Sequence, residues 1–334
     1  MKKLMNDPAN FVEEALQGII LTHSNEYKFV RDDYRGIVRS NTSQHEKVSI
    51  VTGGGFGHLP LFLGFVGHAL ADGVAVGNVF TSPSADTIYN VSKEVNNKSG
   101  ILFLYGNYFG DTINFDLAAD MLKNDKIDVE SAIGSDDIAS ASRKNYKKRR
   151  GVAGLLFAYQ TAGASANSLD SLDKVKEIAE KTISNTVTMG VSLSPCTLPD
   201  SDKPAFTLEG DEVGIGMGIH GEPGIKYEKI KPAKEISKDV LTYLLEDLQL
   251  DKNDKIALLI NGSGATPLEE LYIVAKDTYD YLNEKGIVVF KSYVGNYATS
   301  LNMSGFSISL LKLDDEIEKY MNMEFKSPFF NSQR

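Results

Sequence analysis

Apolar positions recur at helical spacing over residues 11–20, then give way to a charged stretch and to the short run Val48-Ser-Ile-Val51, which leads into Gly53-Gly-Gly-Phe-Gly-His58. A short apolar run bounded by glycines reads as a buried strand entering a turn. The pattern recurs at Gly73-Val-Ala-Val-Gly-Asn-Val-Phe80, which leads to Thr81-Ser-Pro-Ser-Ala-Asp86, and at Gly100-Ile-Leu-Phe-Leu-Tyr105, which leads to Gly106-Asn-Tyr-Phe-Gly-Asp111. Each turn precedes a helical pattern. Strands alternating with helices predict right-handed crossovers, a largely parallel sheet, and three loops gathered along one sheet edge.

Helices are expected over 151–164 and 169–185, the first opened by the basic run Arg143-Lys-Asn-Tyr-Lys-Lys-Arg-Arg150. That run reads either as a phosphate grip or as a solvated helix start. A domain change is placed at Val187-Thr-Met-Gly-Val-Ser-Leu193, dividing the chain into 1–185 and 186–334. The second half shows a glycine cluster over 214–224, an acidic helix over 234–248, the strand Lys255-Ile-Ala-Leu-Leu-Ile260, the turn Asn261-Gly-Ser-Gly-Ala-Thr-Pro267 and a helix over 268–285. Strands at Gly286-Ile-Val-Val-Phe290 and Phe306-Ser-Ile-Ser-Leu-Leu-Lys312 complete it. The expected class is α/β, two α/β domains with mostly parallel or mixed sheets.

Composition narrows the function. With 334 residues the chain can bury two cores, and its net charge of −10 argues against direct nucleic-acid binding, which needs a basic footprint. The single cysteine, Cys196, provides neither a disulfide framework nor a cysteine zinc site, and suits a reducing compartment. No apolar run reaches the roughly 18–20 residues of a spanning helix, and the opening MKKLMNDPANF continues into acidic residues, so a cytoplasmic protein is expected.

The 29 glycines cluster around candidate chemistry. Gly53-Gly-Gly-Phe-Gly-His58 lacks the lysine of a P-loop and the spacing of a dinucleotide fingerprint. It reads as a phosphate cradle, as a turn presenting His58 as an acid or base, or as a structural turn. In Gly218-Ile-His-Gly-Glu-Pro-Gly224, close glycines give a ligand access to His220, whose neutral imidazole can add to a carbonyl and form a hemiaminal; a hydrogen-bonded core histidine is the alternative. Asp111 can accept a proton from a substrate hydroxyl or cap a helix. His23, His45 and His68 have no paired ligands, so no metal site is expected. Cys196 is expected to be buried without a lowered pKa.

These segments, taken together, resemble the dihydroxyacetone-binding K subunit of dihydroxyacetone kinases. The likeness extends over nearly the whole chain, through Gly53-Gly-Gly-x-Gly-His58, Phe80-Thr-Ser-Pro83 with Asp86, Asn107-Tyr-x-Gly-Asp111, Arg149-Arg-Gly-Val-Ala-Gly154, Gly218-Ile-His-Gly-Glu-Pro-Gly224, Gly264-Ala-Thr-Pro-Leu268 and Thr299-Ser-Leu301. The resemblance implies two α/β domains, a homodimer, and dihydroxyacetone bound covalently at His220. It implies that His58 and Asp111 act on the hydroxyl that receives phosphate, with Gly55, Phe56, Gly57 and Gly106 lining the substrate. It also places the nucleotide and its magnesium on a separate L subunit, so this chain is expected to hold no cofactor.

The departures point elsewhere. Phe56 and Leu59 replace a small polar residue and a carboxylate of the family pattern, Gly106 replaces a lysine, Phe109 a Ser or Thr, and Asn302 an aspartate. Losing the lysine removes a cation that phosphoryl transfer uses, and phenylalanines at the mouth would obstruct a donor. The chain in this respect resembles a non-catalytic paralogue within the family, a dihydroxyacetone-binding coactivator acting through a TetR-like transcription factor. A working K subunit partnered by an ADP-binding L subunit is the alternative.

Overall fold

The computed structural model describes residues 2–41 and 46–332, which places His45 outside the described residues. The chain begins with α1 (Phe11–Thr22), β1 (Tyr27–Val30), β2 (Asp33–Arg39), β3 (Ser49–Phe56) and β4 (Gly73–Val79). It continues through α2 (Ala85–Val95), β5 (Ile101–Gly106), α3 (Phe109–Asn124), β6 (Val129–Gly134), α4 (Leu155–Asn167) and α5 (Leu172–Ser184). Then come β7 (Thr186–Ser194), β8 (Glu212–Ile215), β9 (Lys226–Lys229), α6 (Ala233–Leu248) and β10 (Lys255–Gly262). The chain closes with α7 (Leu268–Lys285), β11 (Val288–Gly295), β12 (Ser304–Lys312) and α8 (Asp315–Met321).

Two compact units form. The first takes residues up to Gly134, then Ala158–Lys181, then Lys319 onward; the second takes Ser135–Phe157 and Thr182–Glu318. This replaces the single cut expected between 185 and 186. The reason lies in tertiary pairing. The C-terminal segment returns to the first unit, where Gln160 Nε2 donates to the Met321 carbonyl at 2.8 Å and Ser327 Oγ to the Gly64 carbonyl at 2.6 Å.

The first unit's sheet runs β1-β2-β4-β3-β5-β6. Strands β4, β3, β5 and β6 are parallel, whereas β2 meets both neighbours antiparallel. Val51, Ala75, Ile101 and Phe103 of the sheet pack with Ile88, Val91, Phe115 and Leu122 of α2 and α3. The second sheet runs β11-β10-β12-β7-β8-β9, and only β10–β11 is parallel. The largely parallel arrangement therefore describes the first sheet alone. In the second, β7, β8 and β9 follow one another without crossover helices, and such returns make antiparallel pairs. Its core joins Val187, Met189, Leu258 and Ile308 to Val240, Leu244 and Leu271 of α6 and α7.

The basic run forms a short 3-10 helix over Arg143–Lys148 instead of the start of α4. Its last two arginines are neither phosphate grips nor solvated. Arg149 is fully buried and forks onto Asp247, with Nη1 to Oδ1 at 2.9 Å, and donates from Nε to the Ala141 carbonyl. Just beyond, Asp136 accepts the amides of Val152 and Gly154, both at 2.8 Å. A Cβ on Gly154 would lie 2.5 Å from Asp136 Oδ2, so only glycine lets that carboxylate reach the loop. The family-like segment Arg149–Gly154 is thus a scaffold within the second unit.

Candidate functional site

In the first unit, β3 lies between β4 and β5, all parallel, so the segments leaving their C-terminal ends share one sheet edge. The three glycines expected to form a turn instead continue β3 as far as Phe56. What requires glycine there is close packing. A Cβ on Gly54 would enter the Phe62 ring at 2.1 Å, and one on Gly55 would meet the backbone of Thr81 at 2.6 Å and of Phe80 at 2.8 Å. The chain turns only at Gly57, whose φ of +108° suits a residue without a side chain.

That turn delivers His58 to a buried position, 1% exposed. Its imidazole stacks on the Phe80 ring, centroids 4.8 Å apart and planes 12° from parallel, and meets Phe62 edge-on at 6.4 Å. Two aromatic walls thereby fix the plane of the imidazole. Asp111, also buried, sits in the first turn of α3 and accepts a hydrogen bond from Ser82 Oγ at 2.6 Å. Tyr108 occupies the N-cap, so Asp111 is not the cap. Asn114 Nδ2 donates to the Pro83 carbonyl at 2.8 Å, tying α3 to the same loop. The loops after β3, β4 and β5 therefore meet, as their sequence pattern predicts.

The two phenylalanines differ. Phe56 is 6% exposed and packs edge-on against Phe11 at 6.1 Å, whereas Phe109 is 83% exposed at the start of α3. Of the two only Phe109 is on the surface, which corrects the expectation that both obstruct a mouth. Gly106 ends β5 opposite Gly134 of β6.

His220 belongs to the second unit, in the segment between β8 and β9. It is not a core histidine, for 24% of its side chain is exposed. Glu222 holds it twice, accepting from Nδ1 at Oε1 and from the His220 amide at Oε2, both at 3.0 Å. Burial opposes the charge on Glu222, but hydrogen bonding and charge from His220, with Arg150, outweigh it and hold the carboxyl down at about 2. A carboxylate only accepts, so Nδ1 is the donor in this pair, and in a neutral imidazole the lone pair is then on Nε2. That is the tautomer needed for attack on a carbonyl carbon.

The other sequence candidates take structural places. Cys196 is buried, and Asn302 Oδ1 accepts the Thr197 amide at 3.2 Å. His23 packs edge-on against Phe329 at 5.5 Å. Among the described residues no group of His, Cys, Asp and Glu is arranged to hold a metal ion, and no helix is long and apolar enough to cross a membrane. Sequence reasoning gave no role to Phe80, Ser82 or Glu222. The family-like segments Phe80–Pro83 and Gly218–Gly224 already contained all three residues, and the spacing of Glu222, two residues beyond His220, pointed to its contact.

The chain thus carries two mixed α/β sheets, with a glycine-framed histidine and aspartate in one unit and a glutamate-held histidine in the other. The chain belongs to the Dak1 domain family, whose model matches residues 17–329. It is 43% identical over 330 residues to the PTS-dependent dihydroxyacetone kinase 2, dihydroxyacetone-binding subunit DhaK, of Listeria innocua serovar 6a, with 99% of each chain covered. It is 39% identical to a D-erythrulose kinase of Mycolicibacterium smegmatis, covering 99% of this chain and 56% of that relative. Among solved structures, the dihydroxyacetone kinase operon co-activator Dha-DhaQ superposes with a TM-score of 0.87 at 32% identity, over 94% of this chain and 96% of the other.

Proposed function

We propose that this chain is a dihydroxyacetone-binding coactivator of a dihydroxyacetone kinase operon, which captures the triose as a hemiaminal on His220 and works through a TetR-like transcription factor without transferring phosphate. The observation that carries the capture step is the Glu222–His220 pair, which leaves Nε2 as the nucleophile. That lone pair forms the bond to C2 of the triose, and the carbonyl π pair moves to oxygen, which takes a proton from water; the hydroxide left is neutralised when the ring gives up its Nδ1 proton, so the net reaction adds an imidazole N–H across the carbonyl. The positive charge on the ring before that loss is balanced by the Glu222 carboxylate. Within the first unit, the family likeness supports His58 and Asp111 as hydrogen-bonding groups for substrate hydroxyls, with Gly55, Gly57 and Gly106 beside them. The magnesium nucleotide of the kinase reaction would belong to a donor subunit, and this chain itself holds no cofactor.

The regulatory half rests on Gly106, which provides no cation for a transferring phosphoryl group, and on the exposed Phe109. The operon co-activator's likeness over nearly the full length supports it. The 43% identity to a kinase K subunit favours the second reading, a working K subunit served by an ADP-binding L subunit. Purified protein mixed with dihydroxyacetone, an ADP-loaded L subunit and its phosphoryl donor separates them. The coactivator reading expects no triose phosphate and a TetR-like protein retained only in the presence of the triose; steady triose phosphate formation would establish the K subunit instead.

A further inference from the structure

The carboxylate that holds His220 is itself held from behind. Arg150 Nη1 lies 3.7 Å from Glu222 Oε2, and the same guanidinium donates from Nε and Nη2 to Asp137 Oδ2, both at 2.8 Å. Asp137 is anchored in turn, accepting the Ala139 amide at Oδ1 at 3.1 Å, while its own amide donates to the Arg150 carbonyl. Asp137 is buried and the Arg150 side chain is 16% exposed, so little solvent screens the row. The sequence makes room for it. A Cβ on Gly218 would lie 2.1 Å from Glu222 Oε2 and 2.7 Å from Arg150 Nη1, so this glycine lets both groups pass beneath the turn bearing His220.

Resting on the reading of His220 as the capturing nucleophile, we infer that Glu222 is a positioning residue for His220, and that Arg150, braced on Asp137, keeps Glu222 charged and in place. The charged groups facing Glu222 are His220 on its own turn and Arg150 from the segment after the 3-10 helix, with Asp137 on the far side of the guanidinium. An ionised Glu222 fixes the Nδ1–H tautomer before the ligand arrives, and balances the imidazolium that forms when Nε2 adds to the carbonyl. Arg150 acts one step removed. Without it the carboxyl protonates at a higher pH, and a protonated Glu222 no longer takes the Nδ1 proton's hydrogen bond as an anion.

The test uses the full chain carrying [15N]histidine, with the His220 ring signals assigned from His220→Ala. The ligand-free wild type is expected to show Nδ1 protonated and Nε2 unprotonated at pH 8. Glu222→Gln should lose that single tautomer and weaken dihydroxyacetone capture by about tenfold, the scale of one charge-assisted hydrogen bond. Arg150→Gln should weaken capture by less than Glu222→Gln at pH 8 and shift the pH profile of capture relative to the wild type; Arg150→Lys should restore part of the loss. A purely structural ion pair would change melting without moving the tautomer or the pH profile. If both variants fold and keep the wild-type tautomer, affinity and pH profile, the inference is wrong; should one fail to fold, the other decides alone. If the tautomer responds to Glu222→Gln while wild-type protein forms no triose adduct, the positioning role stands and the capture reading falls.

Discussion

Ser82 Oγ lies 2.6 Å from Asp111 Oδ1 and donates its proton to it, joining the loop after β4 to the first turn of α3. The bond occupies one carboxylate oxygen and orients the other. Ser82→Ala should leave melting within about 1 kcal/mol of the parent, the net worth of such a bond, while weakening triose binding several-fold. Calorimetric titration alongside a melt checks both. Equal affinity in the variant would remove Asp111's orientation from the account.

Gly55 carries the three-loop arrangement because its neighbour is backbone, which cannot step aside as a flexible side chain can. Gly55→Ala is expected to destabilise the fold by about 1–3 kcal/mol through overpacking, and to displace the Thr81–Pro83 loop that bears Ser82. Denaturant titration gives the first quantity. A loss of triose binding larger than that of Ser82→Ala gives the second.

Phe56 and Phe109 should separate cleanly. Phe56→Ser removes a buried ring packed on Phe11 and should cost about 3–5 kcal/mol, as large-to-small core changes do, whereas Phe109→Ser in solvent should stay within about 0.5 kcal/mol. Equal melting losses in the two variants would contradict their placement. Phe109→Ser is accordingly the change with which to probe partner docking, since it leaves the fold alone.

The pH dependence of stability follows from Glu222. Its folded carboxyl sits at about 2, below the ordinary carboxylate value, so the stabilisation it confers is fully present above about pH 4.5 and is lost as pH falls toward 2. Glu222→Gln should therefore lower the melting temperature at pH 7 and converge with the parent near pH 2. A constant gap between the two across that range would show that the carboxylate's charge contributes nothing.

The sequence pattern predicts the helix–strand alternation and the convergence of three loops in the first unit. Each of these depends on local signals, periodicity and turn residues. What it missed depends on contacts distant in the chain. Glycines 53 to 55 read as a turn because nothing local shows that Phe62, Phe80 and Thr81 press against the strand. The discontinuous units arise because Met321 and Ser327 find partners at Gln160 and Gly64, 161 and 263 residues away. Arg149 and Arg150 looked like surface charge because their partners, Asp247 and Asp137, are revealed only by folding.

Carbon-13 NMR of [2-13C]dihydroxyacetone mixed with the protein tests covalent capture most directly, since addition turns the carbonyl carbon tetrahedral. Wild-type protein is expected to give a new tetrahedral-carbon signal that disappears in His220→Ala together with tight binding. Tight binding with the carbonyl signal retained, or an unchanged adduct in His220→Ala, would contradict the account.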